Sequence, residues 1–136
     1  MATATRSTIF LNMIRRYRLG VVSTITTAAT ANITDSARLQ GPGAGENIDV
    51  GCEATILAKN AGTTTAPYGE RVKLSARPVQ TSGLTTVTPA FTATTATSDT
   101  YGILERPLRF IDAANEIDKA LGEELLAKLM LPVTLV

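Results

Sequence analysis

Side chains that act as acids, bases, nucleophiles or metal ligands are sparse in this chain of 136 residues. There is no His, which removes the commonest general base and the usual activating partner of a Ser or Cys nucleophile. One cysteine, Cys52, with no His beside it cannot assemble the common structural zinc sites. Carboxylates remain. Asp112 and Glu116 stand four residues apart on a predicted helix and so share a face, the usual arrangement of a solvated like-charged pair. Asp99 follows Thr97-Ser98 and precedes a predicted strand, where a turn-starting aspartate is expected. Gly41-Pro42-Gly43-Ala44-Gly45 is glycine-rich, yet no lysine follows it and no helix is predicted after it. It therefore lacks the context of a phosphate-binding loop and reads as a flexible or subunit-contacting one. No catalytic residue, metal ligand or cofactor is assigned, and the chain is expected not to be an enzyme.

What the chain offers instead is material for contact. Arg15, Arg16 and Arg18 crowd the last turn of a predicted first helix, where they complement the negative end of its dipole. They are also candidates for docking to an acidic protein surface or to phosphates. Gly41, Gly43 and Gly45 mark a loop suited to reaching a neighbour. The C-terminal run Leu131–Val136 is apolar where termini are usually polar and loose. Pro132 is expected to stop the preceding helix and leave residues 131–136 extended. Val133, Leu135 and Val136 then either complete the protein's own sheet or add a strand to a neighbouring subunit.

These groups need elements to hold them. Ile9, Phe10, Met13, Ile14 and Tyr17 recur at helical spacing and predict a helix over residues 7–19, capped by Ser7 or Thr8 and ended by Gly20. From residue 21 to 104 the period changes to two. The 22 threonines lie almost entirely between Ser23 and Thr100, and β-branched polar residues favour pleated surfaces with one wet face. Val21–Thr27 with Ala31–Asp35 reads as a hairpin. Cys52–Lys59, Arg71–Ser75, Leu84–Thr88 and Thr100–Leu104 read as further strands, with Cys52, Val72 and Leu74 facing inward. A second helix is predicted over residues 107–130, its apolar stripe formed by Ile111, Ala114, Ile117, Leu121 and Leu125. Within it Gly122 marks a close crossing or a bend. The expected fold is α+β: a small antiparallel β sandwich or barrel-like module flanked by an N-terminal and a C-terminal helix, in one domain of residues 1–136 with an extended tail.

Composition bounds the rest. At 44% hydrophobic and 18% charged the chain has the makings of a packed core, with aromatics at only 4%. A net charge of +1 argues against a nucleic-acid binder driven by whole-domain charge, although Arg15, Arg16, Arg18, Arg71, Lys73 and Arg77 form a candidate set for one. The lone cysteine excludes an internal disulfide and agrees with synthesis in a reducing cytoplasm. No secretory signal or membrane span is visible, so Asn32-Ile33-Thr34 is not expected to be glycosylated.

One stretch has a family likeness. Thr85-Thr-Val-Thr-Pro-Ala-Phe91, a small-residue loop, and then Asp99-Thr100-Tyr101 opening the next strand resemble a recurring pattern of tailed-bacteriophage head–tail connector proteins. The arginine-rich lead-in ending Arg18-Leu19-Gly20, the Thr-rich segment Ser23–Asp35, and Pro107–Ile117 after the β module are similar too. The resemblance implies an adaptor: a homo-oligomeric ring of about twelve copies, closed by rotation, seated between the portal protein and the tail or nozzle protein. It would prolong the DNA channel, touch packaged DNA non-specifically, and require no cofactor and no membrane. Made in the host cytoplasm, it would reside in the virion at the head–tail interface. The alternative is a capsid decoration or cement protein that stabilises the phage head.

Overall fold

The computed structural model describes residues 6–134, with side chains as far as Glu123. Elements run α1 (Arg6–Tyr17), β1 (Gly20–Thr24), β2 (Asn32–Thr34), β3 (Glu53–Ala58), β4 (Arg71–Leu74), β5 (Leu84–Thr88), β6 (Thr100–Leu104) and α2 (Phe110–Thr134). This is the expected α+β plan, helix, β module, helix. The six strands form one antiparallel sheet in the order β1-β6-β3-β4-β5-β2. The sheet curls into a half-barrel, so the barrel-like form describes the module and a two-sheet sandwich does not.

The predicted hairpin of the first two strands is largely replaced by long-range pairing. β1 pairs with β6 through all five of its residues, Gly20↔Leu104 to Thr24↔Thr100, while β2 pairs with β5. Only the chain beyond β1 meets β2: Thr26 N–H donates to Thr34 O at 2.8 Å, beside an antiparallel bridge Thr27↔Thr34. That contact fastens the two outer strands of the curl to each other at one end.

Two apolar clusters follow from the curl. Inside it lie Ile25, Ile33, Ile56, Leu74, Tyr101 and Ile103, with Cys52 fully buried among them as a small hydrophobe. On the outer face, Ile14 of α1, Leu57, Leu104 and Phe110 form a second cluster, flanked by Phe10, Leu11 and Val22. β3 is therefore buried on both faces, which explains why its Ala54-Thr55-Ile56-Leu57 run is protected throughout. Phe10 and Phe110 meet edge to face with centroids 5.4 Å apart, a pairing worth about 1 kcal/mol beyond its buried area.

Several boundaries differ from expectation for physical reasons. Arg18, not Gly20, takes the left-handed conformation that ends α1, with φ 53°, and Leu19 N–H returns to Ile14 O at 3.2 Å. Gly20 instead serves strand packing, because a Cβ there would stand 1.9 Å from Ile103 O. α2 begins at Phe110, three residues after Pro107, which lies in a turn that Leu108 N–H closes onto Glu105 O. Its first N–H groups lack a local acceptor, and Glu53 of β3 supplies one: Phe110 N–H donates to Glu53 Oε1 at 2.8 Å. At the other end α2 continues through Pro132 to Thr134, so residues 131–134 are helical and not an extended tail. Pro132 forfeits the hydrogen bond to the residue four back and crowds its carbonyl, a cost confined to the last turn because only Val133 and Thr134 follow it in the helix. Leu135 and Val136 lie outside the described residues.

Candidate assembly surfaces

The buried polar groups bear on chemistry first. Asp99 is fully buried and accepts from Lys59 Nζ at 2.8 Å, Asn60 N–H at 2.8 Å and Ala96 N–H at 2.7 Å. Burial pushes its carboxyl up, but the ammonium and the two backbone donors outweigh that and hold it below the ordinary range. Asp35, also fully buried, accepts from Ala37 and Arg38 N–H and from the Tyr101 hydroxyl at 2.7 Å. Burial, then the Asp35 contact, pushes the Tyr101 hydroxyl far above its usual value. Every one of these groups is saturated by partners inside the fold, and among the described residues no buried side-chain polar atom lacks one. They fasten turns and strand ends. Among the described residues no group of three or more Cys, Asp or Glu side chains gathers in a way that would hold a metal ion.

The predicted contact residues sort differently. Arg15, Arg16 and Arg18 are all exposed at the end of α1, and Arg16 stacks on the Tyr17 ring at 5.8 Å from its centroid. Arg15 and Arg18 border a groove of ≈ 870 Å³ that also contains Gly43 and Gly45. Two regions that the sequence separates by more than twenty residues thus meet in one place. The glycine loop, expected to be flexible or subunit-contacting, is tied to the body at several points. Gly41 N–H donates to Gln80 O at 2.8 Å and Ala44 N–H to Gly41 O at 3.1 Å, while Leu39 and Ile48 anchor both ends in the core. Its glycines hold φ of 96°, 75° and 63°, conformations that a side chain would strain. Val133 lies in the final turn of α2, away from any strand role; Leu135 and Val136 cannot be placed with it.

Sequence reasoning missed Arg38, which completes the basic rim of that groove from beyond β2. Nothing local distinguishes Arg38; only the fold carries it to Arg15 and Arg18. The six basic residues considered for nucleic acid do not share one face. Arg71 borders a different groove with Arg6, and Lys73 borders a third with Arg106. Arg77 is engaged by Asp49 in a two-pronged ion pair at 2.9 and 2.8 Å, and that pairing holds the Asp49 carboxyl well below the usual range.

No protein-family model, curated protein or solved structure matches this chain. Function has to be argued from these surfaces. Among the described residues no helix is long and apolar enough to cross a membrane. Asp118–Glu123 of α2 are exposed without exception, including Leu121 at 54%. The helix is rooted on the body by Phe110, Ala114 and Ile117, and from Asp118, which reaches Arg6, to Glu123 it is exposed.

Proposed function

We propose that this chain is a structural protein of a tailed-phage virion, a head–tail adaptor that forms a ring of about twelve copies between portal and tail and extends the DNA channel. The likeness of Thr85–Phe91 and Asp99–Tyr101 to connector proteins motivates the reading. The structural observation that supports it best is the division of the molecule into a curled sheet and a helix whose Asp118–Glu123 stretch is exposed, with Leu121 uncovered. A subunit of that form buries its own core yet leaves an arm for a neighbour. Its polar side chains are spent on fastening the fold, which suits a scaffold whose chemistry is contact.

Electron microscopy of the purified protein and of intact particles tests the proposal. Rings of uniform size, located at one vertex of the particle, are the expected result. Copies spread over the capsid faces in the hundreds would instead identify a decoration protein, and a strictly monomeric protein with no particle association would remove both readings.

A further inference from the structure

The two helices carry opposite charge in excess. From Arg6 to Arg18 the chain holds four arginines, Arg6, Arg15, Arg16 and Arg18, and no acid. Over α2 stand Asp112, Glu116, Asp118, Glu123 and Glu124 against Lys119 and Lys128. Within one copy the helices share a single cross-helix ion pair among the described residues, Arg6 Nη2 to Asp118 Oδ1 at 2.6 Å. Arg15, Arg18 and Arg38 make no ion pair among those residues, and neither do Glu116 and Glu123.

The unpaired arginines surround a shaped site. The groove they border is lined beneath by Ile14, Val21 and Val22 and bounded by the Gly43–Gly45 loop, with Glu105 as its one acid. A nucleic-acid backbone would match the arginines but would find no use for Val21 and Val22 between them. An acidic helix face matches the arginines, and α2 presents one. Its Glu116 and Glu123 lie two turns apart on one exposed face, and Leu121 is uncovered on the opposite side of the helix. In the same copy α2 is held near the opposite end of α1, by Asp118 on Arg6 and Phe110 on Phe10, so the groove's own helix is occupied elsewhere.

We infer that the Glu116–Glu123 face of α2 in one copy seats in the Arg15–Arg18–Arg38 groove of the next copy. The contact is head-to-tail, each copy giving a helix on one side and a groove on the other. It specifies the contact on which the proposed ring would be built and rests on that reading of the chain as a self-assembling unit.

A charge-swap series tests it, read by sedimentation velocity with circular dichroism to confirm folding. Arg15→Glu with Arg18→Glu, or Glu116→Arg with Glu123→Arg, is expected to weaken self-association at least tenfold, as removal of paired interfacial charges does. Mixing the two variants is expected to restore association, because both contacts between unlike variants pair a groove and a helix of opposite charge. Wild-type association should also weaken as salt rises from about 0.05 to about 1 M. Undiminished association of either folded variant, or no restoration on mixing, overturns the contact. Loss of binding to a short DNA duplex by the arginine variant with its self-association unchanged also overturns it and makes the groove a phosphate site. Microscopy separates this from the ring proposal. Wild-type rings persisting in the arginine variant would keep the ring and remove the contact; open chains of the wild type that obey the charge swap would do the reverse.

Discussion

At the scale of the residue, the polar interior fastens turns and strand ends to one another. Asp99 joins the turn at Ala96 to the end of β3 through Lys59 and Asn60, with Lys59 itself only 9% exposed along its side chain. Asp99→Asn leaves a nearly buried ammonium without its counter-charge, which is expected to cost about 3–5 kcal/mol, measurable as a lowered urea midpoint. The same carboxyl predicts a pH dependence. Because it is held below its unfolded value, the folded chain binds that proton less readily, and stability is present in full above about pH 4. It fades as pH falls through the unfolded value towards the folded one, and urea titrations at stepped pH should show the loss shrink in the Asp99→Asn protein. The sequence marks Asp99 as a turn residue, which is part of its role. Its burial and its pairing with Lys59 were not legible, since the partner lies forty residues away and only the β3–β6 register brings the two together.

At the scale of the element, period and turn chemistry located five of the strands to within a residue or two and both helices approximately. The errors fell where a distant contact overrides a local signal. Gly20 reads as a helix end, yet its lack of a Cβ is required by Ile103 of β6. Gly20→Ala is therefore expected to destabilise by about 1–3 kcal/mol, with α1 still formed, and thermal unfolding followed by circular dichroism would detect it. Glu53 caps α2 across the sheet, so no capping pattern precedes Phe110 in the chain. Gly122 reads as a close crossing, but the space around it is open, with nothing within 4 Å of an added Cβ. Gly122→Ala should then stabilise α2 by up to about 1 kcal/mol and raise helicity without disturbing the body. A fall in stability would show that the glycine serves a contact absent from a single copy.

At the scale of the whole molecule, the α+β plan was legible because helical and strand periods occupy separate stretches of the chain. The strand order was not, because β1 has more to gain from five residues of pairing with β6 than from a short hairpin with β2. The basic groove was equally hidden: Arg15, Arg18, Arg38 and the glycine loop share no spacing, only a place. Phe110→Ala tests how the arm is rooted. Losing the Phe10 ring contact and the packing on Leu57 is expected to cost about 3–5 kcal/mol and to lower the helical signal before the sheet unfolds. That root has a geometric corollary. From Asp118 to Thr134 the helix advances roughly 25 Å at 1.5 Å per residue, against a radius of gyration of about 13 Å for a body of this size. In the proposed ring a helix of fixed length on a rigid root works as a ruler, so inserting one helical turn beside Gly122 should alter the spacing between copies, and with it the proposed circumference, before it abolishes their joining.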